Sequence, residues 1–228
     1  MKINLKSTLG EIVSLYPNTA SIMNKYKIDY CCGGNNTLEN ALMEKSLNTE
    51  KAISELETKV EESKFDNITD WNKESLSKIV DYILDMHHTF MKDALEEINI
   101  LMFKILKVNY NTNGESLLVI HNLFGQLKTE LEEHLVKEEE NLFPLIKEYE
   151  LNDSEAAKNY IFKFIAETES EHDKAGDLFK ELETATNDFT PPENACASYI
   201  RTFKLLDALE KDTFNHIHME NSILFPRI

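Results

Sequence analysis

The sequence repeats one stretch, His134-Leu-Val-Lys-Glu138-Glu-Glu-Asn-Leu142-Phe143-Pro144, as His216-Ile-His-Met-Glu220-Asn-Ser-Ile-Leu224-Phe225-Pro226. The histidine, the glutamate and the Leu-Phe-Pro tail all recur at one offset of 82 residues, which indicates a duplicated unit. A His and a Glu four residues apart lie on one face of a helix. Imidazole nitrogen beside carboxylate oxygen is a ligand set for a transition metal such as iron, manganese or zinc. The repeat therefore predicts two halves of one metal site.

The composition predicts an all-α protein. The 228 residues include only six Gly and five Pro, and no sustained alternation of polar and apolar residues is present. A hydrophobic content of 42% and a charged content of 29% are ordinary for a globular protein. This length suffices for one good core and a small accessory domain.

The formal net charge of −17 limits the classes of binding partner that we expect. An acidic surface repels nucleic acid and anionic membranes, so we expect neither as a partner. No apolar run approaches the roughly 18 to 20 residues of a membrane span. Residues 1–10 lack the apolar segment of a signal peptide, and we expect a cytoplasmic protein.

The first 65 or so residues read as four short helices. Ser7 or Thr8 caps the first helix, Pro17 suits the first turn of the second, and Thr37 opens the third. Asn48 precedes the fourth, and residues 29–36 form a turn rich in glycine and asparagine. We predict an N-terminal helical domain over residues 1–65, a linker over 66–74 and a second domain over 75–228.

The second domain contains four long predicted helices. The first runs from about residue 73 to 108, a break follows at 109–114, and the second runs from 115 to near 149. Asn152 or Asp153 is expected to cap the third, and the fourth follows the loop 188–192 and reaches Pro226. Long helices with short or moderate connections predict an up-down-up-down four-helix bundle.

Each remaining long helix supplies one further histidine. His88 precedes His134 by 46 residues and His172 precedes His216 by 44, so the duplication extends to a whole helix pair. His87 is an alternative to His88, but an apolar stripe along this helix favours His88. Six ligands of mixed N and O in a bundle core fit two metal ions bridged by two carboxylates. The predicted ligands are His88, His134, Glu138, His172, His216 and Glu220.

Other polar residues near these ligands are expected either to support the ligands or to face solvent. Glu130 and Asp212 each fall four residues before a ligand histidine and are candidates to orient metal-bound imidazoles. Glu171 precedes His172 and either lines the site or is exposed. The residues expected to face solvent are Glu139, Glu140, His121 and His218.

The turn at Tyr30-Cys31-Cys32-Gly33-Gly34 carries a second kind of chemistry. Neighbouring cysteines do not easily bridge to each other, and a reducing cytoplasm disfavours disulfides. Glycines leave the thiols accessible and nearby helix N-termini lower a thiol pKa, so Cys31 and Cys32 are candidate reactive thiols. The alternative is that Cys31 packs as a small apolar residue. For Cys196 plain packing is expected.

Residues 76–226 resemble the hemerythrin-like HHE domain, a four-helix bundle with an oxo-bridged di-iron centre. The resemblance rests on the repeated His-x-x-x-Glu with Leu-Phe-Pro and implies two iron ions as cofactor. A ferritin-like site needs Glu-x-x-His on two helices, and only Glu169 with His172 has that spacing. Oxygen-carrying hemerythrins use five His, so four His argue against simple oxygen transport.

The Cys-Cys-Gly-Gly turn resembles the ScdA-type N-terminal domain, and Pro191 to Cys196 is similar to a loop of the same family. Together with an HHE domain, the chain resembles the repair of iron centres family. The resemblance implies a cytoplasmic stress protein that restores iron–sulfur clusters damaged by nitric oxide or peroxide, by donating iron with help from the thiols. Its partners would be iron–sulfur proteins with damaged clusters.

Two further functions compete with repair by iron donation. One is reduction of nitric oxide to nitrous oxide at a diferrous pair. The other is a module that senses O2 or NO by reversible binding. The resemblance is also compatible with a homodimer.

Overall fold

The computed structural model describes residues 3–63 and 69–228, and this part of the chain is an all-α helical bundle fold without β-strands. Its contacts divide the chain into two compact units. The first comprises Met1–Val80 and Phe214–Ile228, and the second comprises Asp81–Thr213. The predicted boundary at residue 65 lies outside the described residues, so the division into domains stays a prediction. None of the described helices combines the length and hydropathy needed to cross a bilayer.

The N-terminal part of the first unit contains the four predicted short helices. They are α1 (Leu9–Leu15), a 3₁₀ turn (Pro17–Thr19) continuing into α2 (Ala20–Lys25), α3 (Leu38–Glu44) and α4 (Thr49–Ser63). Thr8 caps α1 in a capping box with Glu11, because each side chain accepts the backbone N–H of the other. Thr37 caps α3 by accepting from the Asn40 N–H.

These short helices share one apolar core. Leu9, Met23, Leu38 and Leu56 are almost fully buried in it, and Phe214 packs against the same cluster. The last residues of the unit are tied to its middle by Arg227, whose guanidinium donates to two backbone carbonyl oxygens of the segment 71–74. The segment 214–228 is therefore part of the first unit, although it follows residue 80 by more than a hundred positions.

The helices of the second predicted domain follow in the predicted order. They are α5 (Leu76–Tyr82), α6 (Thr89–Lys137), α7 (Phe143–Asn152), α8 (Glu155–Thr186) and α9 (Ala197–His218). The predicted break is a kink inside α6, where Asn109 and Asn113 leave helical φ/ψ values. The chain reverses there, because Lys92 pairs with Glu139, and a straight helix would place these residues about 70 Å apart.

Three π-helical segments interrupt the long helices: Ile83–His88, Glu138–Leu142 and Met219–Leu224. The helical periodicity of the sequence does not predict these segments. Pro144 and Pro226 lack an N–H and sterically exclude the carbonyl four residues earlier, and both of those carbonyls fall inside a π segment. The proline of the repeated motif therefore gives a physical reason for the wide turns in both copies. Such turns are frequent at functional sites.

The predicted cap of α8 was wrong. Ser154 is the N-cap and its hydroxyl accepts from the Ala157 N–H. Asp153 instead ends α7 in the left-handed conformation, at φ 44° and ψ 43°. A residue with that backbone conformation cannot also begin the next helix, so the cap moves one position along.

Candidate metal centre

The first copy of the repeated motif brings two imidazoles to one carboxylate inside the second unit. His134 Nε2 lies 3.3 Å from Glu138 Oε1, and His88 Nε2 lies 3.2 Å from Glu138 Oε2. The Glu138 side chain is 0% exposed and both rings are buried. His172 adds a third ring to this group, since its centroid lies 4.9 Å from that of His134.

The neighbouring His87 has a different partner. Its Nδ1 lies 3.0 Å from Asp212 Oδ1, and its ring stands edge-on to Tyr82. His88 is the ring that faces Glu138. The geometry therefore favours His88 over His87 as the ligand, as the apolar stripe of the helix predicts.

The second copy has the same local geometry in the first unit. His216 Nε2 lies 3.3 Å from Glu220 Oε2, and both side chains are fully buried. Each glutamate sits at the start of a π segment, Glu138 at its first residue and Glu220 at its second. The duplication read from the sequence thus extends to the placement of the two side chains.

Five of the predicted ligands form one group of buried metal-ligating side chains. Each of them offers one ligand atom, and these atoms all lie within 4.8 Å of one another: His134, Glu138, His172, His216 and Glu220. The sixth, His88, faces this group through Glu138. The structure therefore brings five of the six predicted ligands into one group, and the sixth contacts one member of it.

The separations between nitrogen and oxygen fit a shared cation. Two ligands bound to one ion at about 2.1 Å are separated by about 3.0 to 3.4 Å when the angle at the ion lies between octahedral and tetrahedral values. The observed N···O distances of 3.2 to 3.3 Å fall in that range. They are longer than the roughly 2.7 to 2.9 Å of a charge-assisted hydrogen bond.

Two carboxylates fix the orientation of the imidazoles. His134 Nδ1 donates to Glu171 Oε2 at 3.1 Å, and His88 Nδ1 donates to Glu139 Oε1 at 2.8 Å. Since an ionised carboxylate only accepts, each Nδ1 carries a proton, and the Nε2 atom of each ring faces Glu138. A cation between these groups would stabilise that arrangement, so the residues present fit a bound metal.

A lysine completes each of these two arrangements. Lys92 donates to Glu139 at 2.8 Å, and Lys137 pairs with Glu171. The hydrogen bond from His134 is the largest cause that lowers the pKa of Glu171 to about 2, and Lys137 adds to it against burial. Burial alone would raise the pKa of Glu139, but hydrogen bonds from Lys92 and His88 lower it on balance. Both carboxylates are therefore ionised at neutral pH.

Comparisons with known proteins agree with this geometry. The family described as hemerythrin HHE cation binding domain matches residues 50–228. The ScdA_N family, described as a domain of unknown function, matches residues 5–60. The iron–sulfur cluster repair protein YtfE of Escherichia coli O8 (strain IAI1) is 33% identical over 219 residues, which is 96% of this chain and 94% of that protein.

The chain belongs to the repair of iron centres family. Proteins of the same name from Shigella boydii serotype 4 (strain Sb227) and Enterobacter sp. (strain 638) show the same 33% identity over the same share of both chains. The hemerythrin-like domain and the buried His/Glu group together suggest a di-iron site.

The other residues with predicted roles at the site lie in different parts of this repair-family protein. Glu171 contacts a ligand histidine, as one of its two predicted roles requires. Asp212 pairs with His87, which is not one of the six predicted ligands. Glu130 lines an open surface groove of about 830 Å³ together with His121 and Asp177. The orienting roles predicted for Glu130 and Asp212 stay predictions.

Three residues expected to face solvent are at least partly buried, and His121, which has intermediate exposure, is one of them. Glu139 is half-buried against His88 and Lys92. The local sequence does not predict these contacts, because both partners lie about 50 residues away. His218 is only 4% exposed and its Nε2 lies 3.3 Å from Ser14 Oγ. Burial lowers the pKa of His218 to about 4, so this imidazole is neutral at neutral pH.

The burial of the cysteines and the pKa of Cys31 also differ from expectation. Cys31 is buried, Cys32 is partly exposed, and Cys196 is exposed rather than packed. A hydrogen bond with Cys32, burial and the charge of Asp29 raise the pKa of Cys31 well above its usual value. The prediction that helix N-termini lower this pKa was wrong, because these nearer groups outweigh them. Thiol chemistry at Cys31 and Cys32 stays a prediction.

Proposed function

We propose that this protein repairs iron–sulfur clusters by donating iron, and that its buried His/Glu group holds two iron ions for this purpose. The ions would be bound by His88, His134, His172 and His216 and bridged by Glu138 and Glu220, with an oxo group between them. The observation that carries the proposal is the convergence of five metal-ligating side chains within 4.8 Å of one another.

Burial of the two glutamates supports a metal-holding role. Glu138 and Glu220 are both 0% exposed. Moving an ionised carboxylate out of water costs several kcal/mol unless a positive charge compensates for it. A pair of divalent or trivalent cations supplies that charge, and imidazole with carboxylate suits iron, manganese and zinc. The choice of iron rests on the relatives, which are named as iron–sulfur cluster repair proteins.

The homology and the hemerythrin-like domain support the repair role. We infer that the targets are iron–sulfur proteins whose clusters have been damaged by nitric oxide or peroxide. A pair of ions held by nitrogen and oxygen ligands suits donation, because the thiolate and sulfide ligands of a cluster compete well for iron. Cys31 and Cys32 are proposed to assist the transfer.

The chain's own residues would hold the cargo in a defined way. Glu139 and Glu171 keep the proton on Nδ1 of His88 and His134, so each Nε2 is available as a ligand. Lys92 and Lys137 in turn keep these carboxylates in place. Bound iron supplies a redox-active ion pair that can pass between ferric and ferrous states.

A transfer experiment tests the proposal. The protein is purified anaerobically, loaded with ⁵⁷Fe and mixed with an iron–sulfur enzyme whose cluster has been damaged by nitric oxide. We expect two ⁵⁷Fe per chain, a Mössbauer spectrum of a coupled pair, and ⁵⁷Fe in the restored cluster of the target. The matched variants are Glu138→Gln, which should lose iron and repair, and Glu140→Gln, which changes an exposed neighbour and should keep both.

Three results would overturn the proposal. One is that the protein binds no iron under these conditions. Another is that the target recovers equally well with the Glu138→Gln variant, and the third is that the target gains only unlabelled iron. Reduction of nitric oxide and gas sensing stay predictions, as do a homodimer and a cytoplasmic location. Single-turnover gas analysis of the diferrous protein tests the first of these, since nitrous oxide above the buffer level is its required product.

A further inference from the structure

A second group of metal-ligating side chains lies in the turn after α2. Asp29, Cys31 and Cys32 each offer one ligand atom, and these three atoms lie within 4.8 Å of one another. The Cys31 Sγ lies 3.4 Å from Asp29 Oδ1, and the two thiols are close enough to share a hydrogen bond. Asp29 is exposed and Cys32 is partly exposed, so the group can be reached from solvent.

The backbone of this turn holds the three side chains in place. The Cys31 N–H and the Gly33 N–H both donate to Asp29 Oδ1, at 3.2 and 3.0 Å. A Cβ on Gly33 would lie 2.7 Å from the Asp29 carbonyl oxygen, so only glycine allows the chain to close this tightly. One oxygen of Asp29 therefore shapes the turn, and the second is not needed for it.

The turn is also braced by the C-terminal segment of the same unit. Tyr30 donates its hydroxyl to Asn215 Oδ1 at 2.9 Å, and its ring packs edge-on against His218. Gly34 lies so close to Ser222 that a Cβ would approach the hydroxyl oxygen to 3.0 Å. These contacts fix the residues on both sides of the cysteine pair, which is the preorganisation that a metal site requires.

We propose that Asp29, Cys31 and Cys32 form a second metal site, which takes a thiophilic divalent cation. Binding converts two thiols into thiolates bonded to the cation and releases two protons to solvent, with no change in oxidation state. Two thiolates and one carboxylate leave at least one coordination position open, and that position faces the exposed side of the turn. An incoming thiolate of another protein can occupy it, which suits a transit site better than a closed structural site.

The identity of the natural cation rests on the proposed function, because only iron donation makes ferrous iron the cation in transit. The existence of the site does not rest on it. A pair of thiolates with a carboxylate also binds zinc, cadmium and cobalt, so the site can be tested with a probe metal alone.

Cobalt is the probe of choice, because thiolate ligands give cobalt(II) a charge-transfer band in the near ultraviolet that nitrogen and oxygen ligands do not give. The full-length protein is reduced and titrated anaerobically with Co²⁺. We expect the band to saturate at one equivalent and to disappear in Cys31→Ser and in Cys32→Ser. Difference spectra between wild type and these variants cancel any cobalt bound by the His/Glu group, which is unchanged.

Two variants complete the design. Cys196→Ser removes the exposed third cysteine and should keep the full band, which excludes binding by an isolated thiol. Asp29→Asn keeps an oxygen that can accept the two N–H donors but removes the charge, and should weaken Co²⁺ binding about tenfold or more. Circular dichroism checks that each variant remains as helical as the wild type.

The outcomes separate this proposal from the repair function. Absence of the band in the wild type, or its retention in both Cys31→Ser and Cys32→Ser, overturns the second metal site. Unchanged Co²⁺ affinity in Asp29→Asn overturns the role of the carboxylate. None of these results depends on ⁵⁷Fe transfer, so failure of repair leaves the cobalt result standing, and the reverse also holds.

Discussion

The two copies of the repeated motif differ on one face and agree on the other. On the ligand face, His134 with Glu138 and His216 with Glu220 have the same separation of 3.3 Å and the same complete burial. Leu135 and its counterpart 82 residues later are also both buried. The duplicated sequence has therefore kept the residues that face the buried His/Glu group.

The opposite face has diverged. Val136 is 58% exposed, whereas its counterpart His218 is 4% exposed and contacts Ser14 and Tyr30. Glu140 faces solvent, whereas its counterpart Ser222 packs against two glycines of the N-terminal helices and turn. One copy thus presents its outer face to solvent, and the other uses the same face to complete the first unit.

This comparison shows how one helical motif serves two purposes. The His-x-x-x-Glu spacing fixes a single face, because residues four apart lie one turn above each other. The residues between them point elsewhere and are free to change. Variants on the ligand face should therefore act alike in both copies, while variants on the outer face should act differently.

The largest expected effect is on the ligand face. Glu138→Gln and Glu220→Gln each remove the charge of a proposed bridging ligand. We expect iron affinity to fall by more than about 100-fold in both, since even residues that only orient a ligand cost 10- to 100-fold. The iron-dependent rise in Tm should shrink equally in the two variants. Metal analysis and calorimetry measure this, and a clear difference between the two variants would contradict the equivalence of the copies.

A smaller effect is expected for the residues that orient the imidazoles. Glu171→Gln removes the charge that holds the Nδ1 proton of His134, and Glu139→Gln does the same at His88. We expect each variant to weaken iron binding by about 10- to 100-fold. Glu169→Gln, at an exposed position two residues from Glu171, is the control and should bind iron as the wild type does. Unchanged affinity in both test variants would exclude the orienting role.

On the outer face of the second copy, Gly10→Ala should destabilise the protein. The new Cβ would lie 2.6 Å from Ser222 Oγ and 3.2 Å from the Gly34 carbonyl oxygen. Overpacking of this kind costs about 1 to 3 kcal/mol in the free energy of unfolding. Adding Ser222→Ala should recover part of that loss. Urea unfolding provides the measurement.

The matched control is Gly125→Ala, because a Cβ there meets nothing within 4 Å and the residue lies inside α6. It should stabilise the protein by about 0.5 to 1 kcal/mol. Destabilisation by both substitutions would mean that the close approach to Ser222 is not the cause.

The smallest expected effects come from exchanging the counterparts Val136 and His218. His218→Val removes the contact with Ser14 and leaves its hydroxyl without that partner, which costs about 1 kcal/mol. Val136→His changes an exposed side chain and should stay within about 0.5 kcal/mol of the wild type. Equal costs for the two substitutions would show that the outer faces do not differ as described.

The sequence predicts those features of the fold that depend on local chemistry. The sequence predicts Thr37 as one helix cap and offers Ser7 or Thr8 for another, because a cap needs only its own side chain and a backbone N–H three residues away. The six predicted ligand positions follow from the duplication, because the second copy repeats the pattern of the first, and five of them lie in one buried group. The kink at Asn109 follows from a run of residues that favour turns.

The features that were missed depend on partners distant in sequence. Glu139 approaches His88 only because α6 reverses direction, and His218 is buried only because the segment 214–228 packs with the N-terminal helices. The π segments Glu138–Leu142 and Met219–Leu224 were missed because the effect of Pro144 and Pro226 on the preceding turn is not part of a helical periodicity. The raised pKa of Cys31 depends first on its hydrogen bond with Cys32 and then on its burial, which only the folded unit defines.

The composition of the first unit also has a consequence for the order of folding during synthesis. N-terminal domains generally fold first as a chain leaves the ribosome. Here the N-terminal helices acquire Phe214, Asn215 and Ser222 only after the segment 214–222 has been synthesised. The cysteine turn therefore remains incomplete until that segment has been made, so a shorter nascent chain cannot adopt its final form.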